Sequence, residues 1–216
     1  FSSRRRHTRY AAGLGIPAEP LFRSDYDCIV TGDCGAATST AATLTIGVEA
    51  TANAGSDASV CEGSSYTLSG IANGYSSIEW STSGDGGFDD INSLTAIYTP
   101  GSTDISNGTV SLTLTAYATP PCTEDGTDQM VLTIDESTVV TSDPVSQSAC
   151  LGTGVSFSVT ATGEGTLSYQ WRKDGTNITG ATTATYDIAS VSSGDAGDYD
   201  CVVTGDCGAA TSTAAT

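Results

Sequence analysis

The sequence predicts an all-β chain built as a tandem array of small two-layer sandwiches. Three observations carry that expectation. Short runs of alternating apolar and polar residues recur between glycine- and aspartate-rich turns. No apolar stretch approaches the length of a membrane span, and no helical period persists. A nineteen-residue segment, DYDCIVTGDCGAATSTAAT at Asp25 to Thr43, returns at Asp198 to Thr216 with one change, Ile29 against Val202. Such self-similarity marks an array of related modules. The first copy has no front half of its own module ahead of it, so a piece of a longer array is expected.

The strands justify themselves in order. Toward the C-terminus, Val155, Phe157, Val159 and Ala161 alternate with Ser156, Ser158 and Thr160. Tyr169 and Trp171 follow, then Ala184, Tyr186 and Ile188, then Tyr199, Cys201 and Val203. A period of two is what a sheet with one buried face requires. In the middle of the chain, Tyr66 and Leu68, Ile78 and Trp80, Ala96 and Tyr98, Val110 to Leu114, and Met130 to Ile134 make five more runs. Both tryptophans fall in phase with the alternation and are expected in cores.

The opening 24 residues differ in composition from everything after them. They hold five of the seven basic residues and the only histidine, His7. They lack the apolar run of a secretory signal. Ser2 to Arg9 reads back as TCA AGC AGA AGA CGG CAT ACG AGA, and Gly13 to Ser24 reads back in the same way. The segment resembles a translated Illumina sequencing adapter, which implies a disordered, non-native leader that ends where the repeat begins. From Asp25 onward only Arg172 and Lys173 are basic against 24 acidic residues, a net charge of −22. Nothing basic remains to neutralise phosphates, which argues against nucleic acid and anionic membranes as partners. The acidic side chains are expected in water, where they repel one another and keep the chain soluble.

Catalytic chemistry has little to work with. Without His7 there is no imidazole base for a serine or cysteine nucleophile. Acidic loops such as SGDGGFDDIN, with Asp85, Asp89 and Asp90, depart from the calcium-loop pattern and are only weak calcium candidates. The seven cysteines show neither metal-ligand spacing nor a companion histidine, so disulfides and an exported protein are the better account. No cofactor is expected, and no enzymatic activity.

At Asp195-Ala196-Gly197-Asp198-Tyr199-Asp200-Cys201 the resemblance becomes specific. This resembles the D-x-G-x-Y-x-C signature of strand F in the immunoglobulin superfamily, with Tyr199 placed as a tyrosine corner. Trp171, in YQWRKDG, sits where such domains keep the core tryptophan of strand C. The pattern is similar to immunoglobulin-like repeats of secreted bacterial proteins, Bacteroidota especially. CEGSSYTLSG, WSTSGDGGF and MVLTI resemble a second immunoglobulin-like or PKD-like repeat. The resemblance implies Greek-key sandwiches at 47–136 and 137–216, with 25–46 as a remnant of strands F and G. It departs from the family at strand B, where Val159 replaces the cysteine that would face Cys201. Cys201, and Cys28 in the first copy, therefore read as buried free thiols.

The resemblance also places the turn cysteines. Cys34, Cys122 and Cys207 precede strand G; Cys61 and Cys150 precede strand B in matching CEG and CLG contexts. Pairing within modules gives Cys61–Cys122 and Cys150–Cys207. In a Greek key, however, these turns lie at opposite ends of the sandwich, roughly 25 Å apart, against the 7 Å or so that a disulfide spans. In a head-to-tail array Cys61 would instead meet Cys207 of the next module. Both pairings stand open here. The expected function is a non-catalytic structural or adhesive repeat region, outside a bacterial cell or on its surface. Its partners would be neighbouring modules and a cell-surface or glycan ligand. The alternative is a carbohydrate- or calcium-binding accessory region of a secreted hydrolase.

Overall fold

The computed structural model describes residues 5–7, 22–32 and 34–216. Contacts divide it into two compact units, one of Phe1–Ala58, Ser65–Thr103 and Val110–Leu132, the other of Ser59–Ser64, Asp104–Thr109 and Thr133–Thr216. Strands dominate both.

In the first unit the alternation becomes burial. Along Thr109–Ala118 the residues Val110, Leu112, Leu114 and Ala116 are buried while their neighbours are not. This strand runs antiparallel to Tyr75–Thr82, with Trp80 opposite Leu114. The four-stranded sheet is ordered Tyr75–Thr82, Thr109–Ala118, Gly126–Asp135, Ala58–Cys61. A three-stranded sheet of Gly87–Phe88, Ile97–Thr99 and Tyr66–Thr67 supplies Phe88 and Tyr98, whose rings meet at 4.9 Å. Trp80 lies 6.4 Å from Phe88 and donates its indole N–H to the Ser93 carbonyl at 3.0 Å. Gly70 makes that arrangement possible, because a Cβ there would stand 2.8 Å from the Trp80 ring and 2.9 Å from Leu114.

The second unit carries the strands predicted around Trp171. Val139–Ser142 pairs with Thr160–Thr162, and Val155–Ser158 pairs with Thr185–Ile188. A four-stranded sheet is ordered Thr176–Asn177, Ser168–Lys173, Tyr199–Gly205, Gly208–Thr211. Phe157, Val159, Trp171, Tyr199, Cys201 and Val203 form one core, with Tyr186 and Leu167 packed against it. Burial of aromatic and branched side chains of this size is the main stabilising term in so small a domain.

Two local features were not foreseen. Ser102–Asn107 is a helical turn and a half. Six residues are too few to show a period, and the Thr103 amide at its start donates to the Asp85 carboxylate at 3.0 Å. Near the N-terminus Arg5–His7, Phe22–Tyr26 and Ala42–Ile46 form an antiparallel sheet. The disorder expected over 1–24 otherwise falls on residues 1–4 and 8–21, which lie outside the described residues.

Candidate functional site

The motif residues cluster where strands F and C cross the core of the second unit. Tyr199 follows the Ser193–Asp195 turn, where the Ser192 hydroxyl and amide donate to the Asp195 carboxylate at 2.6 and 2.7 Å. Those two donors hold the Asp195 carboxyl below the usual carboxylate range. The turn then presents the Asp195 carbonyl to the Tyr199 hydroxyl, which donates to it at 2.7 Å. Burial raises the Tyr199 phenol above its ordinary value. Trp171 sits directly opposite Cys201 in the sheet register and donates its indole N–H to the Thr183 carbonyl at 2.9 Å. Phe157 packs 4.7 Å from Tyr199 and 6.2 Å from Trp171. The Tyr199 hydroxyl and the Trp171 indole N–H are both spent on backbone carbonyls.

Val159 is buried between the strands Val155–Ser158 and Thr160–Thr162, and its amide donates to the Ala184 carbonyl. Cys201 is fully buried in the same cluster, and desolvation pushes its thiol above the ordinary value. Such a cysteine is a small hydrophobe, not a nucleophile. Cys28 departs from the expectation of burial and is exposed. Its hairpin differs in sequence from the one around Cys201 only at Ile29, where that one has Val202.

The acidic loop does not gather its carboxylates around a common point. Asp85 accepts from Thr103 and Ser102, Asp89 from the amides of Asp90 and Ile97, and Asp90 from the amide of Asn92. These are turn-forming side chains satisfying nearby backbone donors. Among the described residues no group of three or more His, Cys, Asp or Glu side chains is arranged to hold a metal ion. An open groove of about 310 Å³ runs past Leu151, Val155, Phe157, Ile188 and Tyr199 in the second unit. Its walls are largely apolar, and its one carboxylate, Asp195, is already engaged by Ser192.

Cys61 and Cys207 are joined by a disulfide, with Cα atoms 5.4 Å apart. The pairing within modules, Cys61–Cys122 and Cys150–Cys207, does not form; Cys34, Cys122 and Cys150 are free. The two pre-strand-B cysteines occupy the same turn. Ser64 donates its amide to the Cys61 carbonyl at 3.0 Å and Thr153 to that of Cys150 at 3.1 Å, around Gly63 and Gly152 at φ +80° and +85°. A left-handed backbone at that point favours glycine, which both copies supply.

This arrangement of two packed sheets, a core tryptophan and a tyrosine corner defines an immunoglobulin-like sandwich. Residues 138–204 match the sequence model of the family described as "Immunoglobulin domain". No match is found among the curated proteins. Among solved structures, the chain is similar to "3Ig structure of titin domains I67-I69 E-to-A mutated variant", at 15% identity and TM-score 0.56, over 98% of this chain and 81% of that one. It is similar to "Crystal structure of DIP-gamma IG1+IG2" at 9% identity and TM-score 0.51, over 78% and 96% of the two chains. It also resembles "Sidekick-1 immunoglobulin domains 1-4, crystal form 1" at 20% identity and TM-score 0.50, covering 90% of this chain and 57% of that chain's length. At these identities the likeness establishes fold alone: tandem immunoglobulin-like β-sandwiches. Among the described residues no helix is long and apolar enough to cross a membrane.

Proposed function

We propose that the chain is a non-catalytic structural and adhesive repeat region of a large secreted or cell-surface bacterial protein. In this reading residues 1–24 are a translated adapter, 25–46 a remnant of strands F and G, and 47–136 and 137–216 successive modules. The observation that carries it is the burial of both tryptophans: Trp80 and Trp171 are 2% and 0% exposed. A glycan platform needs aromatic faces in water, and here the largest ones are spent on cores. The disulfide supports export, because such bonds persist in oxidising compartments. The excess of solvated carboxylates suits a surface-exposed stalk held apart by its own charge.

The reading is tested by mild proteolysis of intact source cells followed by peptide identification. Release of peptides from this chain without cytosolic markers is expected; their retention until lysis would overturn the surface location. Calorimetric titration of the purified chain with calcium, and a glycan array, address the alternative. Saturable binding to either would replace the spacer role with that of an accessory module.

A further inference from the structure

The bonded cysteines, Cys61 and Cys207, each have a free counterpart in the same setting. Cys61 opens the turn to Ser64 and Cys150 the turn to Thr153, with the same amide-to-carbonyl closure and a left-handed glycine at the same step. Cys207 lies in the connection between Tyr199–Gly205 and Gly208–Thr211, and Cys122 in that between Thr109–Ala118 and Gly126–Asp135. Each of these strand pairs is adjacent in a four-stranded sheet. Each connection also lies against residues that open the stretch it belongs to, 137–216 or 47–136. The Thr138 amide donates to the Cys207 carbonyl at 3.3 Å, and a Cβ on Gly47 would stand 2.9 Å from Cys122 Sγ. Cys150 thus repeats the setting of Cys61, and Cys122 repeats that of Cys207.

The internal repeat supplies the distance. Asp25 and Asp198 open nearly identical segments and are 173 residues apart. In an array of that period, a stretch like 137–216 is followed by one like 44–136. Cys122 advanced by one period then stands 145 residues beyond Cys150. The bonded pair, Cys61 and Cys207, has a sequence separation of 146. Both the settings and the spacing of the observed bond therefore recur for Cys150 and the next Cys122.

We propose that Cys150 is a disulfide site whose partner is Cys122 of the following period. Bonds of two kinds, Cys61–Cys207 and Cys150–Cys122, then alternate along the array. This rests on the reading of the chain as successive modules. The oxidant is a small-molecule disulfide such as oxidised glutathione. The Cys150 thiolate attacks one of its sulfurs and releases one glutathione thiolate. The Cys122 thiolate attacks the Cys150 sulfur of that mixed disulfide and releases the second. The two protein thiols give up two electrons and two protons, and the small disulfide takes them up as two thiols.

The test lengthens the full chain by one period, with residues 44–216 added after Thr216. The lengthened chain is refolded in a glutathione redox buffer, alkylated and mapped for disulfides. A Cys150–Cys122 link is expected beside Cys61–Cys207. Cys122→Ser in the second period should abolish that link, whereas Cys122→Ser in the first period should retain it. Recovery of every Cys150 in alkylated form, with Cys61–Cys207 intact, would overturn the proposal and leave the modular reading standing. So would a link that survives the second-period substitution or disappears with the first. Loss of Cys61–Cys207 itself would overturn the modular reading, and the proposal with it.

Discussion

The hydroxyl of Tyr199 donates to the carbonyl of Asp195, four residues upstream, across 2.7 Å. This bond closes the corner through which the chain enters strand F and fixes the ring against Phe157 and Tyr186. Removing the hydroxyl leaves the ring's packing in place but strands a carbonyl. Tyr199→Phe is expected to destabilise the last sandwich by about 1–2 kcal/mol, read as a lower urea midpoint with an unchanged slope.

The same turn makes stability depend on acid. Asp195 titrates below its ordinary value because Ser192 donates to its carboxylate from both hydroxyl and amide. A carboxyl depressed in the folded state contributes stability that is fully present above its unfolded value, about 3.9, and is lost as pH falls through its folded value. Urea midpoints measured from pH 7 down to pH 2 should therefore decline below about pH 4. Asp195→Asn, which cannot titrate, should show a shallower decline.

Much of this arrangement was legible in the sequence, and the reasons are local. Trp171 and Tyr199 announced themselves because strand alternation and the D-x-G-x-Y-x-C spacing agree on which face is inward. For Cys61 the sequence left two partners open, Cys122 and Cys207, and the bond formed is the one to Cys207. What escaped depended on contacts distant in sequence. The Ser102–Asn107 turn is anchored by Asp85 from another loop. Cys28 is exposed although its sequence context is the one that buries Cys201, because burial belongs to the strands that cover a hairpin and not to the hairpin itself. Ser39 and Ser212 also gave no signal, since a serine that clasps a neighbouring strand reads like any polar strand residue.

Arg172 and Asp200 stand directly opposite in the sheet and meet in a two-pronged pair, Nε to Oδ1 at 2.8 Å and Nη2 to Oδ2 at 2.7 Å. The carboxylate holds the guanidinium above its usual value through that hydrogen bond. A double-mutant cycle with Arg172→Ala and Asp200→Ala should give a coupling of about 1 kcal/mol. Arg172→Lys should lose part of it, because an ammonium cannot reproduce the fork. Raising the salt from 0.05 to about 1 M should shrink the coupling, as it does for partly exposed pairs.

The Cys61–Cys207 bond closes a loop with a sequence separation of 146. Cross-links of this kind restrict the unfolded chain and typically contribute about 2–4 kcal/mol. Replacing both cysteines by serine should lower the stability of the last sandwich by that order while leaving the strand content unchanged. Far-UV circular dichroism at 25 °C and a urea titration separate the two effects. Equal midpoints for the parent and the double variant would show that the bond contributes nothing to folding.

Val159 stands where the resemblance to immunoglobulin domains expects the cysteine that bridges to strand F, and Cys201 is a buried thiol. Both side chains belong to the same core, and Trp171 packs within that cluster. Val159→Cys should therefore form the missing inter-sheet bond under oxidising refolding. The loop enclosed is short compared with the Cys61–Cys207 loop, so a gain of about 2–4 kcal/mol is the ceiling, reduced by whatever packing the lost methyl supplied. Thiol titration in denaturant reads the outcome directly. A variant with one more free thiol than the parent would show that the two sheets hold these positions too far apart. A variant with one fewer would show that the core has kept the geometry of the bond although strand B lacks the cysteine.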